Sequence, residues 1–387
     1  MIVKEYQTLL KNELHHATYL LVLLLVSSLH LLKIAKLEVL AESLPIPIQF
    51  DSRRRKLRRL LRLPNFTIED LWFPCVRVLL QKMFVPKERI YLAIDRTSWG
   101  IVNILMVSVI YDHRAWPIYW EALDKKGNSN LDEQKRVLGT SLALLSESVP
   151  VVLGDREFCS PKLAHWLGEQ NAYFCLRQKC NTKILEEAEV YQELRDYGLQ
   201  PGTKLFLNDR QVTKQKEFGT YNVACKWKRS YRGFKTKEAW FILTNLTDID
   251  EAIKCYQHRF SIEEMFRDLK SGGYSLEGSK LDPEYISKLL IVISIAYTSA
   301  MLQDKALKRM GIQKYIARPE TSSRLERRHS AFYIGQHQYH WLMPTQMCEK
   351  IVDELLQINR RWVEFYKKGK RAMELAMNKL EASMSPC

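Results

Sequence analysis

Apolar residues recur at intervals of three and four from Tyr6 to Leu40, and residues 1–85 contain no glycine. This spacing predicts an all-helical N-terminal region. Pro45 and Pro47 interrupt it. Residues 52–62 then form a further amphipathic stretch, with Leu57, Leu60 and Leu61 on one side and arginines on the other. From residue 89 the pattern changes to strands. The apolar run 90–94 ends on Asp95, 101–111 is long and rich in β-branched residues, and 115–120 follows after the short link Asp112-His113-Arg114. Three strands with tight links predict an antiparallel meander. Asn130 is placed to cap a helix over 132–148, the apolar strand 151–154 ends on Asp155, and Ser160-Pro161 opens a helix to Glu169. Residues 172–176 predict a fifth strand. Residues 178–238 hold short alternating segments and turns, and 240–243 predict the last strand. Thr247 is the expected cap of one long helix reaching Lys270, where Gly272-Gly273 stops it. An apolar helix follows from Asp282-Pro283 to about residue 303, and 305–387 reads as helical.

The order of three strands, helix, strand, helix, strand is the ribonuclease H-like arrangement. The expected fold is therefore α/β, a ribonuclease H-like core interrupted by a β-rich insertion, with helical N- and C-terminal regions. The expected boundaries are 1–86 for a helical DNA-binding region, 87–177 with 239–304 for the core, 178–238 for the insertion and 305–387 for the helical C-terminal region.

Composition narrows the partners. The 59 Lys and Arg residues exceed the 44 acids, giving a formal charge of +15 and a pI near 9.3. A surplus of this kind favours a polyanion, because neutralised phosphates release counterions. Charge alone leaves DNA, RNA, anionic membrane and a basic protein without such a partner all open. The eight cysteines are scattered, without a CxxC pair. This pattern argues against a zinc module and against a disulfide scaffold, and fits a reducing cytosol. The apolar run 19–32 is short for a bilayer and contains Ser27, Ser28 and His30, so a buried helix is expected and no membrane partner.

Candidate chemistry begins with Asp95 and Asp155, each at the end of a predicted strand, where ligand sites form in open sheets. Strand-end aspartates also cap turns, so this observation alone leaves both roles open. The helix adds a second signal. In YQHRFSIEEMFRDLK, Tyr256, Arg259, Glu263 and Lys270 are spaced by three, four and seven residues. On a continuous helix these fall within an arc of about 60°. One face would then carry a carboxylate flanked by two cations and a phenol, although an amphipathic helix with ordinary salt pairs such as Glu263 to Arg267 has the same appearance.

The spacing Y-x2-R-x3-E-x6-K resembles the YREK signature of the bacterial cut-and-paste insertion-sequence transposases of the DDE class. The segments Ala93-Ile-Asp95-Arg-Thr97 and Val151-Val-Leu-Gly-Asp155-Arg-Glu-Phe158 are similar to that family's first and second aspartate motifs. Leu243-Thr-Asn-Leu246 and Lys270-Ser-Gly-Gly273 flank the third. The likeness covers residues 89–303. It implies a metal-dependent polynucleotidyl transferase and endonuclease in which Asp95, Asp155 and Glu263 are the catalytic metal ligands. Two Mg²⁺ ions, replaceable by Mn²⁺, would be bound at the site. The likeness also implies phosphate contacts from Arg259 and Lys270 with Tyr256 alongside, terminal inverted repeats and target DNA as substrates, a homodimer on paired ends, and a place in the cytoplasm at the bacterial nucleoid. Phe260 stands where close relatives can carry Trp, and Trp240 or Trp227 is a candidate for a second stacking residue.

Two basic segments extend the DNA expectation. Arg53, Arg54, Arg55, Arg58 and Arg59 belong to a run in which seven of the ten residues 53–62 are basic. Residues 226–237, including Lys226, Trp227, Lys228, Arg229 and Arg232, interleave six cations with three aromatics, a composition suited to phosphates and exposed bases. The same alternation suits an edge hairpin. Residues 323–329, 360–361 and 367–371 are further basic segments for end binding or dimer contacts. Glu157 and Asp112 are expected to support the site rather than ligate. Two rival readings remain: a catalytically retired transposase that binds DNA, and a nuclease of the same fold.

Overall fold

The computed structural model describes residues 2–186, 190–213, 218–229, 238–318, 329–358 and 363–382, without the side chains of 345–347 and 356–358. The chain forms two units, one made of 1–78 with 267–387 and the other of 79–266. The N-terminal part of the first unit contains α1 (Lys4–Glu13), α2 (His16–Leu32), α3 (Leu37–Ser43) and α4 (Phe50–Leu60), followed by α5 (Phe73–Met83), which runs on into the second unit. Helix α2 is apolar almost all round and buries Tyr19, Val22, Leu25, Val26 and Leu29, as its composition predicts for an interior helix.

The second unit is built on one sheet. Its strands are β1 (Arg89–Trp99), β2 (Val102–Tyr111) and β3 (Arg114–Ala122), then, after helix α6 (Leu131–Ala143), β4 (Val149–Gly154). Helix α7 (Pro161–Glu169) leads to β5 (Tyr173–Arg177), a small hairpin β6 (Lys183–Leu185) and β7 (Tyr191–Glu193), and then β8 (Lys204–Gln211), β9 (Thr220–Lys226) and β10 (Trp240–Thr244). The strand order is β3-β2-β1-β4-β5-β10-β9-β8. β1 pairs antiparallel with β2 and parallel with β4, and β4 is parallel to β5. The first five strands are thus the ribonuclease H-like meander and crossovers expected from the sequence. The β-rich stretch contributes β8 and β9 to the edge of this same sheet and only β6 and β7 to a separate one.

Local chemistry explains the joints. Asp112 and His113 both have positive φ, 51° and 57°, which makes the two-residue link a tight hairpin whose twist matches the strands. Asn130 caps α6 in a reciprocal capping box with Glu133. The long helix expected over 247–270 is instead two, α8 (Ile249–Gln257) and α9 (Phe260–Leu269), and its cap is Asp248, which accepts from the Glu251 N–H, rather than Thr247. At the joint the amides of His258, Arg259, Ser261 and Ile262 bond three residues back rather than four. The helix therefore tightens and turns there.

Beyond α9 the first unit resumes with α10 (Pro283–Arg309), α11 (Gln313–Ile316), α12 (Ala331–Ile358) and α13 (Val363–Ala382). α10 is long and apolar enough to cross a bilayer, but 78% of its apolar window is buried within the protein. Gly335 of α12 lies so close to α10 that a Cβ would fall 1.9 Å from the Ala300 carbonyl oxygen, so only glycine fits this crossing.

Candidate active site

Asp95 and Asp155 follow directly on the register pair Ile94–Gly154 of the parallel strands β1 and β4. Neighbouring strands are about 5 Å apart, so the two aspartates stand side by side. β1 continues past Asp95 to Trp99, whereas β4 ends at Gly154 and Asp155 opens a 3₁₀ turn by accepting the Glu157 N–H at 2.8 Å. Gly154 makes this turn possible. A Cβ there would meet the Phe158 Cβ at 2.8 Å and Leu176 at 3.0 Å.

The Asp95 side chain is only 15% exposed. Burial, and then the Asp155 charge, push its carboxyl from 3.8 up to about 7, even though Arg259 and the Arg96 amide oppose the shift. Two carboxylates side by side, one of them largely shielded from water, favour positive charge between them, and such a pair suits a hard divalent cation. Among the described residues, no three His, Cys, Asp or Glu side chains are gathered closely enough to hold one ion. Glu263 is paired with Arg259, whose Nη1 also lies 3.6 Å from Asp95 Oδ2. The guanidinium, 12% exposed, thus joins two of the three carboxylates, and the donor set fits a metal through Asp95 and Asp155 more directly than through Glu263.

Glu263 is positioned by the neighbours of α9. Arg114 Nη1 reaches Glu264 at 3.2 Å, Ser261 donates to the His113 carbonyl at 3.3 Å, and Met265 lies against Ser108. The His258 ring stacks on Tyr91 at 4.7 Å and faces His113, which fixes the bend between α8 and α9. Burial lowers the His258 imidazole below its ordinary value, as does His113. A second layer holds the aspartate loops. Glu157 accepts two bonds from Arg96 Nε, at 2.9 and 3.1 Å, and two from Ser129, from its N–H at 2.8 Å and its hydroxyl at 2.7 Å. Arg96 also donates to Asn103 and Asn128. Nothing in the sequence singles out Arg114 or His258. Arg96 was visible only as the residue after the first aspartate.

Tyr256 lies on α8, Arg259 in the bend and Glu263 on α9, so no continuous helix face unites them. Tyr256 is 3% exposed and meets Trp240 edge-on at 5.2 Å, while Lys228 lies over the Trp240 ring at 4.3 Å. Phe260 is 56% exposed. Lys270 follows α9 in the first unit and its Nζ lies 3.3 Å from Glu277. Lys226 ends β9, Arg229 lies over the turn at Gly202, and Trp227 exchanges backbone bonds with Gly202 and Thr203. Arg232 lies outside the described residues, as do 323–328 and 360–361. In α4, Arg53 donates to the carbonyls of Ala41, Ile48 and Glu42, Arg54 pairs with Glu38, and Arg55 donates to the Asp51 carbonyl. Arg58 and Arg59 are exposed, with no acidic partner among the described residues.

Comparison with known proteins decides the family. The family described as "Transposase DDE domain" matches residues 92–298, more than half of the chain, from within β1 to within α10. The chain belongs to the DDE transposase family. For a transposase of this family, DNA strand chemistry with divalent metal ions is the expected activity. Among solved structures, the transposase is similar to the cryo-EM structure of a piggyBac transposase synaptic complex with hairpin DNA, with 14% identity, a TM-score of 0.47, and coverage of 90% of this chain and 78% of that one. A search of curated proteins finds no match.

Proposed function

We propose that this transposase is catalytically active in cut-and-paste transposition, with Asp95, Asp155 and Glu263 as its catalytic carboxylates. The observation that carries the reading is the pair Asp95–Asp155 side by side where the parallel pairing of β1 and β4 ends, with Asp95 largely shielded from water and joined to Glu263 through Arg259. Asp95 and Asp155 would hold Mg²⁺, two ions at the completed site, with Mn²⁺ able to replace them. When bound, such ions activate the attacking oxygen and stabilise the leaving oxygen. Glu263 joins the site once Arg259 exchanges its carboxylate partners for a DNA phosphate, which its planar fork binds in a bidentate manner. Tyr256 and Trp240 brace the base of that arginine, and the exposed Phe260 ring is available to stack on a displaced base. The substrates are the terminal inverted repeats of an insertion sequence of bacterial type and then target DNA, and two copies of the chain pair the ends in the cytoplasm. The helical N-terminal region to residue 86 and the helices after 304 serve end binding and pairing. Lys270 takes a further phosphate.

The test is Glu263→Gln, assayed for binding and for nicking of duplex DNA carrying the ends that flank the gene. The reading expects end binding to be retained, or strengthened because Arg259 is released, and nicking to disappear. Nicking that survives in this variant removes Glu263 from the catalytic set.

A further inference from the structure

We infer that a cleft in the first unit, walled by α4 and the start of α10, is a binding site for a DNA backbone phosphate outside the catalytic centre. This inference rests on the reading of the chain as a DNA-acting transposase. The cleft measures about 300 Å³ and is lined by Arg58, Arg62, Lys280, Asp282 and Tyr285 over a floor that includes Leu61. Three cations therefore face one carboxylate.

The charge in this cleft differs from that of the rest of α4. Arg53 donates to backbone carbonyls and Arg54 pairs with Glu38, so these two guanidiniums are already engaged. Arg58 lies in the last turn of α4 and Arg62 in the turn that follows it, and both line the same cleft, where their like charges favour an anion between them. Arg62 is held in place, because its Nε donates to the Tyr285 hydroxyl at 3.0 Å and its guanidinium packs over the Tyr285 ring at 5.7 Å. Its remaining N–H groups keep their planar fork for an oxyanion. Lys280 is held in the left-handed conformation, φ 51°, just before Asp282 and Pro283 open α10, and among the described residues it has no acidic partner. The N-terminus of α10, a helix of 27 residues, adds the positive end of its dipole, and the Asp282 side chain makes no capping bond there.

A phosphodiester matches this set better than a carboxylate ligand does. It spreads one negative charge over two non-bridging oxygens that a fixed guanidinium and a point-charge ammonium can share, and it offers a sugar to the tyrosine and leucine side chains. A strand of DNA presents such groups in series, and a basic helix leading into the cleft suits a strand.

The experiment is a salt titration of affinity, by fluorescence anisotropy, with the full chain, EDTA and a labelled duplex. Lys280→Gln and Arg58→Gln are each expected to make the slope of log K against log salt shallower by about 0.9, the contribution of one neutralised phosphate on duplex DNA. Lys280→Arg should keep the slope, and since Gln and Arg both carry a Cβ, the left-handed backbone at 280 is equally strained in the two variants. Thermal melting of each variant controls for the fold. Unchanged slopes in both Gln variants overturn the site. So does tight binding of inorganic phosphate or a mononucleotide that Lys280→Gln abolishes while the duplex slope stays the same, because the cleft would then serve a small anion. Wild-type protein with no salt-dependent duplex affinity overturns the underlying DNA reading as well, a failure distinct from equal slopes in wild type and variants.

Discussion

Asp95→Asn is expected to make the metal-free protein more stable at pH 8 while abolishing its chemistry. The folded carboxyl titrates at about 7 against 3.8 for an ordinary aspartate, because it is buried beside Asp155. Each tenfold bias in protonation corresponds to about 1.4 kcal/mol, so keeping Asp95 ionised in the fold costs on the order of 4 kcal/mol. Below pH 3.8 folded and unfolded chains both carry the proton and the cost is absent. Between that pH and about 7 only the folded chain keeps it, and stability falls as pH rises; above about 7 the full cost remains. The asparagine amide keeps a neutral group in the same place and can still accept from the Arg96 N–H, which bonds Asp95 Oδ1 at 2.7 Å. Urea unfolding in EDTA should therefore show the variant more stable by up to about 4 kcal/mol at pH 8, narrowing to about 1–2 kcal/mol at pH 5. An equal gap at both pH values, or a variant less stable than wild type at pH 8, would refute the argument that Asp95 is a strained buried carboxylate. Mg²⁺ should raise the stability of wild type at pH 8 and leave the variant nearly unchanged, since a ligand that binds only the native state stabilises it in proportion to its affinity.

Other expectations follow from the second layer and the strand end. Glu157→Gln removes the charge that anchors Arg96 and weakens its bonds with Ser129, and it should lower metal affinity or turnover by about 10–100-fold with little change in DNA affinity, measured by Mn²⁺ titration and by cleavage. Gly154→Ala puts a methyl group against Phe158 and Leu176 and should cost about 1–3 kcal/mol in a melting experiment, together with cleavage activity, because Asp155 moves with the strand end.

Much of the core could be read from the sequence because its signals are local. An apolar run closing on an aspartate marks Asp95 and Asp155, Asn130 with Glu133 gives the α6 cap, and Asp112-His113 suits a turn that needs two positive φ values. The bend between α8 and α9 could not be read in this way. Cys255, Ile262, Met265 and Leu269 keep the apolar spacing across it, and neither proline nor glycine marks the break. Its causes are distant in sequence: His258 stacks on Tyr91, and Arg259 turns to Asp95. The same holds for β8 and β9, whose alternation predicts strands but cannot name their sheet. In α4 the arginine run was legible as charge, while the backbone carbonyls that occupy Arg53 depend on the approach of α3.

The most direct test of the account is cleavage of linear DNA bearing the ends that flank the gene, by wild-type protein in Mg²⁺ and in EDTA, beside Asp155→Asn. The account predicts cuts at the element's ends that require the metal and vanish in the variant, with end binding retained. End binding without any cut in Mg²⁺ or Mn²⁺, or cuts that persist in the variant, would contradict it.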